Sequence, residues 1–115
     1  MQDCLLPEIV WADLDEEQRV TLNRVAQEAC SVYGDGILGS GEPIWPHAVA
    51  MASLAAELRL DVISRQAALL FAMPARKDFN RQKFEQHYGE DVSRLVRGVF
   101  KLNQMRPITE GFASD

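Results

Sequence analysis

The sequence predicts an all-α fold, a compact bundle of about five or six helices in a single domain over residues 1–115. Apolar residues recur at i, i+3, i+4 and i+7 through most of the chain, the spacing of one buried helix face. Helix punctuation brackets these stretches, with Asp, Asn or Pro ahead of them and Gly behind. No stretch shows the alternation of a half-buried strand, and no segment repeats another.

The elements follow in order. "DLDEEQRV" opens the first helix. Asp13 with Glu16, or Asp15 with Gln18, has the spacing at which a cap side chain and the third helical residue satisfy each other's backbone donors. Leu22, Val25, Ala26, Ala29, Cys30 and Tyr33 then form one face, and Gly34 stops the helix. "GDGILGSGEP" carries four glycines in ten residues and reads as a loop. It lacks the lysine and the preceding strand of a phosphate-cradling loop. A second helix opens around Pro46 and runs through "PHAVAMASLAAELRL", with Val49, Ala52, Leu54, Ala55 and Leu58 apolar. Asp61 caps a third, "VISRQAALLFA", which is nearly all apolar after Arg65 and so belongs at the centre. Asn80 caps a short fourth, "RQKFEQHY", ended by Gly89. The fifth, "EDVSRLVRGVFKL", presents Val92, Leu95, Val96, Val99 and Leu102, and "MRPITEGFASD" is a polar, proline-broken tail.

A chain of 115 residues buries roughly 65% of its unfolded surface and can hold a core without staples. Its apolar runs fall far short of the roughly 18 residues that a membrane span needs. The opening "MQDCLLPEIV" has no basic region and contains a proline, unlike a secretory signal. The expected location is therefore cytoplasmic, with no membrane partner. Cys30 lies on an apolar stripe and reads as a small buried hydrophobe, and two thiols suit a reducing cytosol better than a disulfide framework. Net charge is −5, which argues against non-specific nucleic-acid binding and a direct DNA partner. The charge is uneven: residues 1–73 hold four basic and eleven acidic side chains, residues 74–101 seven basic and four acidic. Arg76, Lys77, Arg81 and Lys83 concentrate the positive end, either as solvated helix and loop surface or as a rim that docks on an acidic or phosphate-bearing partner.

Few residues could carry chemistry. His47 sits in the opening turn of the second helix; as a metal ligand it would need at least two further donors converging on it. His87 lies on a short, exposed helix. No nucleophile–base pairing suggests a triad, and the run Asp13 to Glu17 reads as capping and solvation.

Gly41-Glu42-Pro43 with His47 four residues on, then "ELRLD", "AALL" and "YGEDVSRLVRGVFKL", resemble in order and spacing the N-terminal domain of the RelA/SpoT family. These enzymes make and degrade the guanosine tetra- and pentaphosphate alarmones of the bacterial stringent response. The resemblance covers roughly residues 15–103 and implies an HD-type hydrolase fold. In the family such a domain removes the 3′ diphosphate with a divalent metal, usually manganese. The ligands are the histidine after Gly-Glu-Pro, a His-Asp dyad after "AALL" and a later aspartate, with a Glu-Asp pair serving the water. Here Phe71 and Ala72 stand at the dyad, Ala75 and Arg76 at the Glu-Asp pair, and the last ligand would lie beyond Asp115. The loop before Gly41, basic in active hydrolases, carries Leu38 and Gly39. Only His47 remains at a ligand position, so no catalytic residue, metal or cofactor is expected in this domain.

The pattern resembles the monofunctional RelA-type branch, in which a neighbouring domain transfers diphosphate from ATP to GTP or GDP. The resemblance implies an N-terminal fragment of such an enzyme, with the synthetase domain, its Mg, ATP and GTP, and the contacts to ribosome and uncharged tRNA outside this chain. Its partner would then be its own synthetase domain. A working 3′-diphosphohydrolase with unusual ligands and a free-standing helical interaction module stay open as alternatives, so whether this chain is itself an enzyme is undecided.

Overall fold

The computed structural model describes residues 4–101. The polar tail, Leu102 and the position of the last family ligand lie outside them. A short helix α1 covers Glu8–Trp11, followed by α2 over Glu16–Tyr33, α3 over Ile44–Glu57 and α4 over Val62–Leu69. A 3₁₀ turn, Met73–Ala75, leads to α5, Arg81–Tyr88. A sixth helix, α6, spans 90–101. α3 packs chiefly on α4, α1 on α3 and α2 on α4. The all-α expectation is met; among the described residues the one extended feature is an isolated bridge between Ile37 and Pro43 that closes the glycine loop.

The caps show why the helices begin where they do. Of the two candidate boxes at α2, Asp15 with Gln18 forms: Asp15 Oδ1 accepts from Gln18 N at 2.8 Å, and Gln18 Oε1 accepts from Asp15 N at 3.2 Å. Asp61 and Asn80 cap α4 and α5 in the same way, accepting from Ser64 N and Lys83 N. Gly34 turns the chain out of α2 at φ +49°. Two residues on, a Cβ at Gly36 would stand 2.9 Å from Tyr33 O, so only glycine lets the loop fold back there. α3 starts at Ile44, two residues before Pro46, because Pro46 falls in the first turn, where its missing N–H has no intrahelical partner to lose.

All six residues assigned to the α2 face are buried. The α3 assignment needs correction. Its inward face is Trp45, Ala48, Ala52, Ala55 and Ala56, whereas Leu54 and Leu58 are more than half exposed. The alanines bring α3 close to Ala67 and Ala68 of α4, and the leucines are left standing beside that contact. With Met51, Leu60, Leu95 and Val99 they wall an open apolar groove of about 300 Å³. Leu95, read from sequence as part of the α6 core face, is likewise exposed.

Sequence reasoning missed α1 and what holds it. Arg65, on the most apolar helix, is buried to 1% exposure. Its Nη1 donates to Val10 O at 3.0 Å and Asp13 Oδ1 at 2.6 Å, Nη2 to Asp13 Oδ2 at 2.9 Å, and Nε to Leu60 O at 3.0 Å. Asp13 is thus not a cap but the anion of a two-pronged ion pair. Arg19 completes the same C-terminal end of α1 by donating to Trp11 O and Ala12 O while its guanidinium lies over the Trp11 ring, 5.1 Å from its centroid.

Cys30 is on the buried stripe as expected, but it is not a free thiol: it is bonded to Cys4, with Cα atoms 5.6 Å apart. Composition counts two thiols and cannot show that the N-terminal arm returns across α2.

The Arg65–Asp13 pair makes stability acid-dependent. The side-chain hydrogen bonds from Arg65 hold the Asp13 carboxyl at about 2, below the ordinary 3.8. A carboxyl depressed in the folded state contributes its stability above the unfolded value and loses it as pH falls toward the folded one. The urea midpoint is therefore expected to drop between about pH 4 and pH 2. Arg65→Ala should flatten that drop and cost about 3 kcal/mol or more at pH 7, through two carbonyls left unsatisfied and a cavity. An unchanged acid limb in the variant would show that other carboxyls govern it.

Candidate functional site

The segment at the end of α4 places the residues that the resemblance puts at the catalytic dyad. The expected helix through Ala72 stops early: α4 ends at Leu69, and Phe71 and Ala72 lie in a turn. Pro74 is the physical reason. In a continuing α-helix its ring would press on the carbonyl four residues back and its nitrogen would offer no donor. The backbone tightens instead, with Met73 N donating to Leu70 O at 3.0 Å and Ala75 N to Ala72 O at 3.1 Å.

Tyr33 seats this turn from α2. Its hydroxyl donates to Leu69 O at 2.8 Å, an orphan carbonyl of the helix end, and accepts from Ala72 N at 3.3 Å. Burial pushes the phenol's pKa well above its ordinary value. Phe71, Ala72 and Met73 are all buried beneath it. The Phe71 ring stands edge-on to Tyr33 at 6.4 Å and tilted against His47 at 5.2 Å.

His47 keeps half of a ligand's surroundings. Glu42 Oε2 lies 3.2 Å from Nδ1, and since a carboxylate only accepts, the proton of that bond sits on Nδ1. Such pairing orients metal-bound histidines. What faces the ring here is a phenyl group. Among the described residues no three His, Cys, Asp or Glu side chains come together as a metal site. Among the described residues the donors around His47 do not fit the family's metal.

The remaining candidates separate. Ala75 closes the 3₁₀ turn. Arg76 is not an open rim charge: Nη1 donates to Val32 O at 3.2 Å and Nε to Asp78 Oδ1 at 3.1 Å, and this bonding holds the Asp78 carboxyl below its usual range. Lys77, Arg81 and Lys83 are exposed, and Lys83 lines a cleft of about 270 Å³ with Arg76, Asp78 and Phe84. His87 lies away from His47's ring contact: its Nε2 is 3.0 Å from Glu28 Oε2, and Tyr88 OH donates to Glu28 Oε1 at 3.0 Å, tying α5 to α2. Leu38 is half-buried and Gly39 exposed, so the loop offers no cation there.

Phe71→Ala is expected to cost about 3–5 kcal/mol in urea unfolding, because it empties a buried ring site between α2 and α3. A loss under about 1 kcal/mol would mean that the turn collapses around the gap.

Comparison with known proteins agrees with this frame. A family model described as an HD domain matches residues 24–114. A guanosine-3′,5′-bis(diphosphate) 3′-pyrophosphohydrolase of Vibrio cholerae is 34% identical over 88% of this chain and 14% of its own length. The bifunctional (p)ppGpp synthase/hydrolase SpoT of Escherichia coli is 33% identical over the same shares. A probable GTP pyrophosphokinase of Mycobacterium leprae is 33% identical over 73% of this chain and 11% of its own length. The chain thus spans about a seventh of the first two relatives. No solved structure matches. With the helical frame, the Gly-Glu-Pro loop ahead of His47 and the match over most of its length, the chain belongs to the HD domain family, in its RelA/SpoT alarmone-enzyme branch.

Proposed function

We propose that this chain is a hydrolase-inactive regulatory domain of a RelA-type GTP pyrophosphokinase, which makes (p)ppGpp from ATP and GTP or GDP in the stringent response. The observation that carries the reading is the Leu69–Ala75 turn. Where the resemblance puts a His-Asp dyad, a phenyl and a methyl group are buried under Tyr33 and against His47. Neither can ligate a cation, and a single imidazole does not hold one. The relatives named as hydrolases and as pyrophosphokinases support both halves of the proposal, a hydrolase frame and a synthetase neighbour. The synthetase domain with its Mg, ATP and GTP, and the ribosome and uncharged-tRNA contacts, would lie in other regions of the protein. The place of action is the cytoplasm. No described helix is long and apolar enough to cross a membrane.

Calorimetric titration with Mn²⁺ is expected to find no site tighter than millimolar, and the chain should release no 3′ diphosphate from ppGpp. A tight site with turnover would instead mean a working hydrolase with other ligands.

A domain without chemistry of its own acts by contact, and the rim beside the turn is where this one turns positive. Arg76 is spent on Asp78 and Val32, so the charges offered to a partner are Lys77, Arg81 and Lys83. Exposed charges are worth about 1 kcal/mol or less each and act mainly on encounter and specificity. Single changes should do little. Lys77→Glu, Arg81→Glu and Lys83→Glu together are expected to change alarmone synthesis by the full-length protein; equal basal and stimulated rates at several salt concentrations would leave the rim as solvated surface.

A further inference from the structure

A disulfide is rare in cytoplasmic proteins and, where present, is usually transient, catalytic or redox-sensing. Cys4–Cys30 therefore needs an account. Cys30 is buried in α2, while Cys4 is half-buried, so the bond is approached from the Cys4 side. What the bond holds is local. Residues 4–6 form an arm ahead of α1. Beyond the bond, Gln27 Nε2 donates to Cys4 O at 3.2 Å and Trp11 Nε1 donates to Leu6 O at 3.4 Å. Leu5, Leu6 and Trp11 make one wall of a cavity of about 490 Å³, whose other wall is Arg19, Val20 and Asn23 of α2. From Val10 onward the chain is fixed differently. Val10 is fully buried, Arg65 takes its carbonyl, and Arg19 takes those of Trp11 and Ala12. None of these ties runs through sulfur.

We infer that Cys4–Cys30 is a redox latch. In the oxidised protein it pins residues 4–6 over α2. A dithiol reductant releases them and opens the cavity wall, while the bundle from Val10 onward stays folded. The reductant's thiolate attacks the Cys4 sulfur, the accessible one, and expels Cys30 as thiolate. The reductant's second thiol resolves the mixed disulfide. The reductant leaves as its own disulfide, and Cys4 and Cys30 each end as thiols carrying one proton. The latch rests on geometry alone; only the cytoplasmic reductant rests on the proposed function.

The chain is oxidised with glutathione disulfide, then compared with its dithiothreitol-reduced form and with Cys4→Ser. Alkylation under native conditions, read by intact mass, should add no label to the oxidised chain and at least one, at the freed Cys4, to the reduced one. Heteronuclear NOE values for the amides of residues 4–6 should match the rigid bundle in the oxidised chain. They should fall to those of a mobile tail after reduction and in Cys4→Ser, with residues 10 onward unchanged. Reduction should also proceed in a glutathione buffer at a cytosol-like ratio. Free thiols after oxidation, an arm equally rigid or equally mobile in both states, loss of the whole folded spectrum on reduction, or a bond that stays closed in the cytosol-like buffer would each overturn the latch. None of these outcomes bears on the Mn²⁺ titration, so failure of one reading is distinguishable from failure of the other.

Discussion

The architecture depends on a guanidinium in a place where one is costly. Arg65 sits on the apolar central helix and is almost wholly removed from water. A buried cation is tolerated only when its donors are taken and its charge is met. Here the partners come from three separate segments: Val10 in α1, Asp13 in the turn before α2, and Leu60 in the turn before α4. The guanidinium is planar and its donors point in fixed directions, so the three segments have little freedom of position relative to α4. A buried ion pair adds little net stability over a well-packed apolar replacement. Its contribution here is geometric, because it fixes where α4 starts and therefore where α4 runs out.

Where α4 runs out is the candidate site. Pro74 ends α-helical geometry, and Tyr33 takes up both the orphan Leu69 carbonyl and the Ala72 amide. The backbone of the turn is thereby satisfied without any side chain of the turn itself. That leaves Phe71, Ala72 and Met73 able to be purely apolar. A ligand-bearing turn would have to hold polar groups toward an open space, a strained and desolvated arrangement that usually costs stability. The packing of Phe71 on His47 and the proposed loss of hydrolysis are thus consequences of the same substitutions.

What the sequence made legible was local. The six-residue face of α2 could be read because a long helix buried on one side repeats its signal over several turns. The caps at Asp15, Asp61 and Asn80 could be read because a cap and its amide are three residues apart. What escaped was long-range. Asp13 and Arg65 are 52 positions apart, Cys4 and Cys30 are 26, and nothing beside either residue names its partner. α1 is four residues long, too short to show a period. Leu54 and Leu58 looked like core because they are leucines, but the alanines of α3 make the contact. At the site, the resemblance pointed to Phe71 and Ala72, and the structure places both in a buried turn. The turn that carries Phe71 was mistaken for helix, since Pro74 marks a boundary without saying how far upstream it acts. Tyr33 was read only as a face residue because a hydroxyl's partners are set by tertiary structure.

The same interactions divide the molecule by chemistry. The bundle from Val10 onward is tied by an ion pair, and that tie answers to protons: it is complete above the ordinary carboxyl range and is lost as Asp13 is protonated. The arm ahead of Val10 is tied by a sulfur bond, which answers to electrons and is indifferent to pH in that range. The boundary between them falls at α1, where the Val10 carbonyl binds Arg65 and the Trp11 indole reaches back to Leu6. α1 is thus the point at which the arm could be lost without loosening the core. It also explains why so short a helix is ordered at all. Four residues cannot nucleate a stable helix in water, so α1 exists because Arg65 and Arg19 take its carbonyls and Val10 fills the core. A release of the arm would end at that anchor and would not reach the Tyr33 turn.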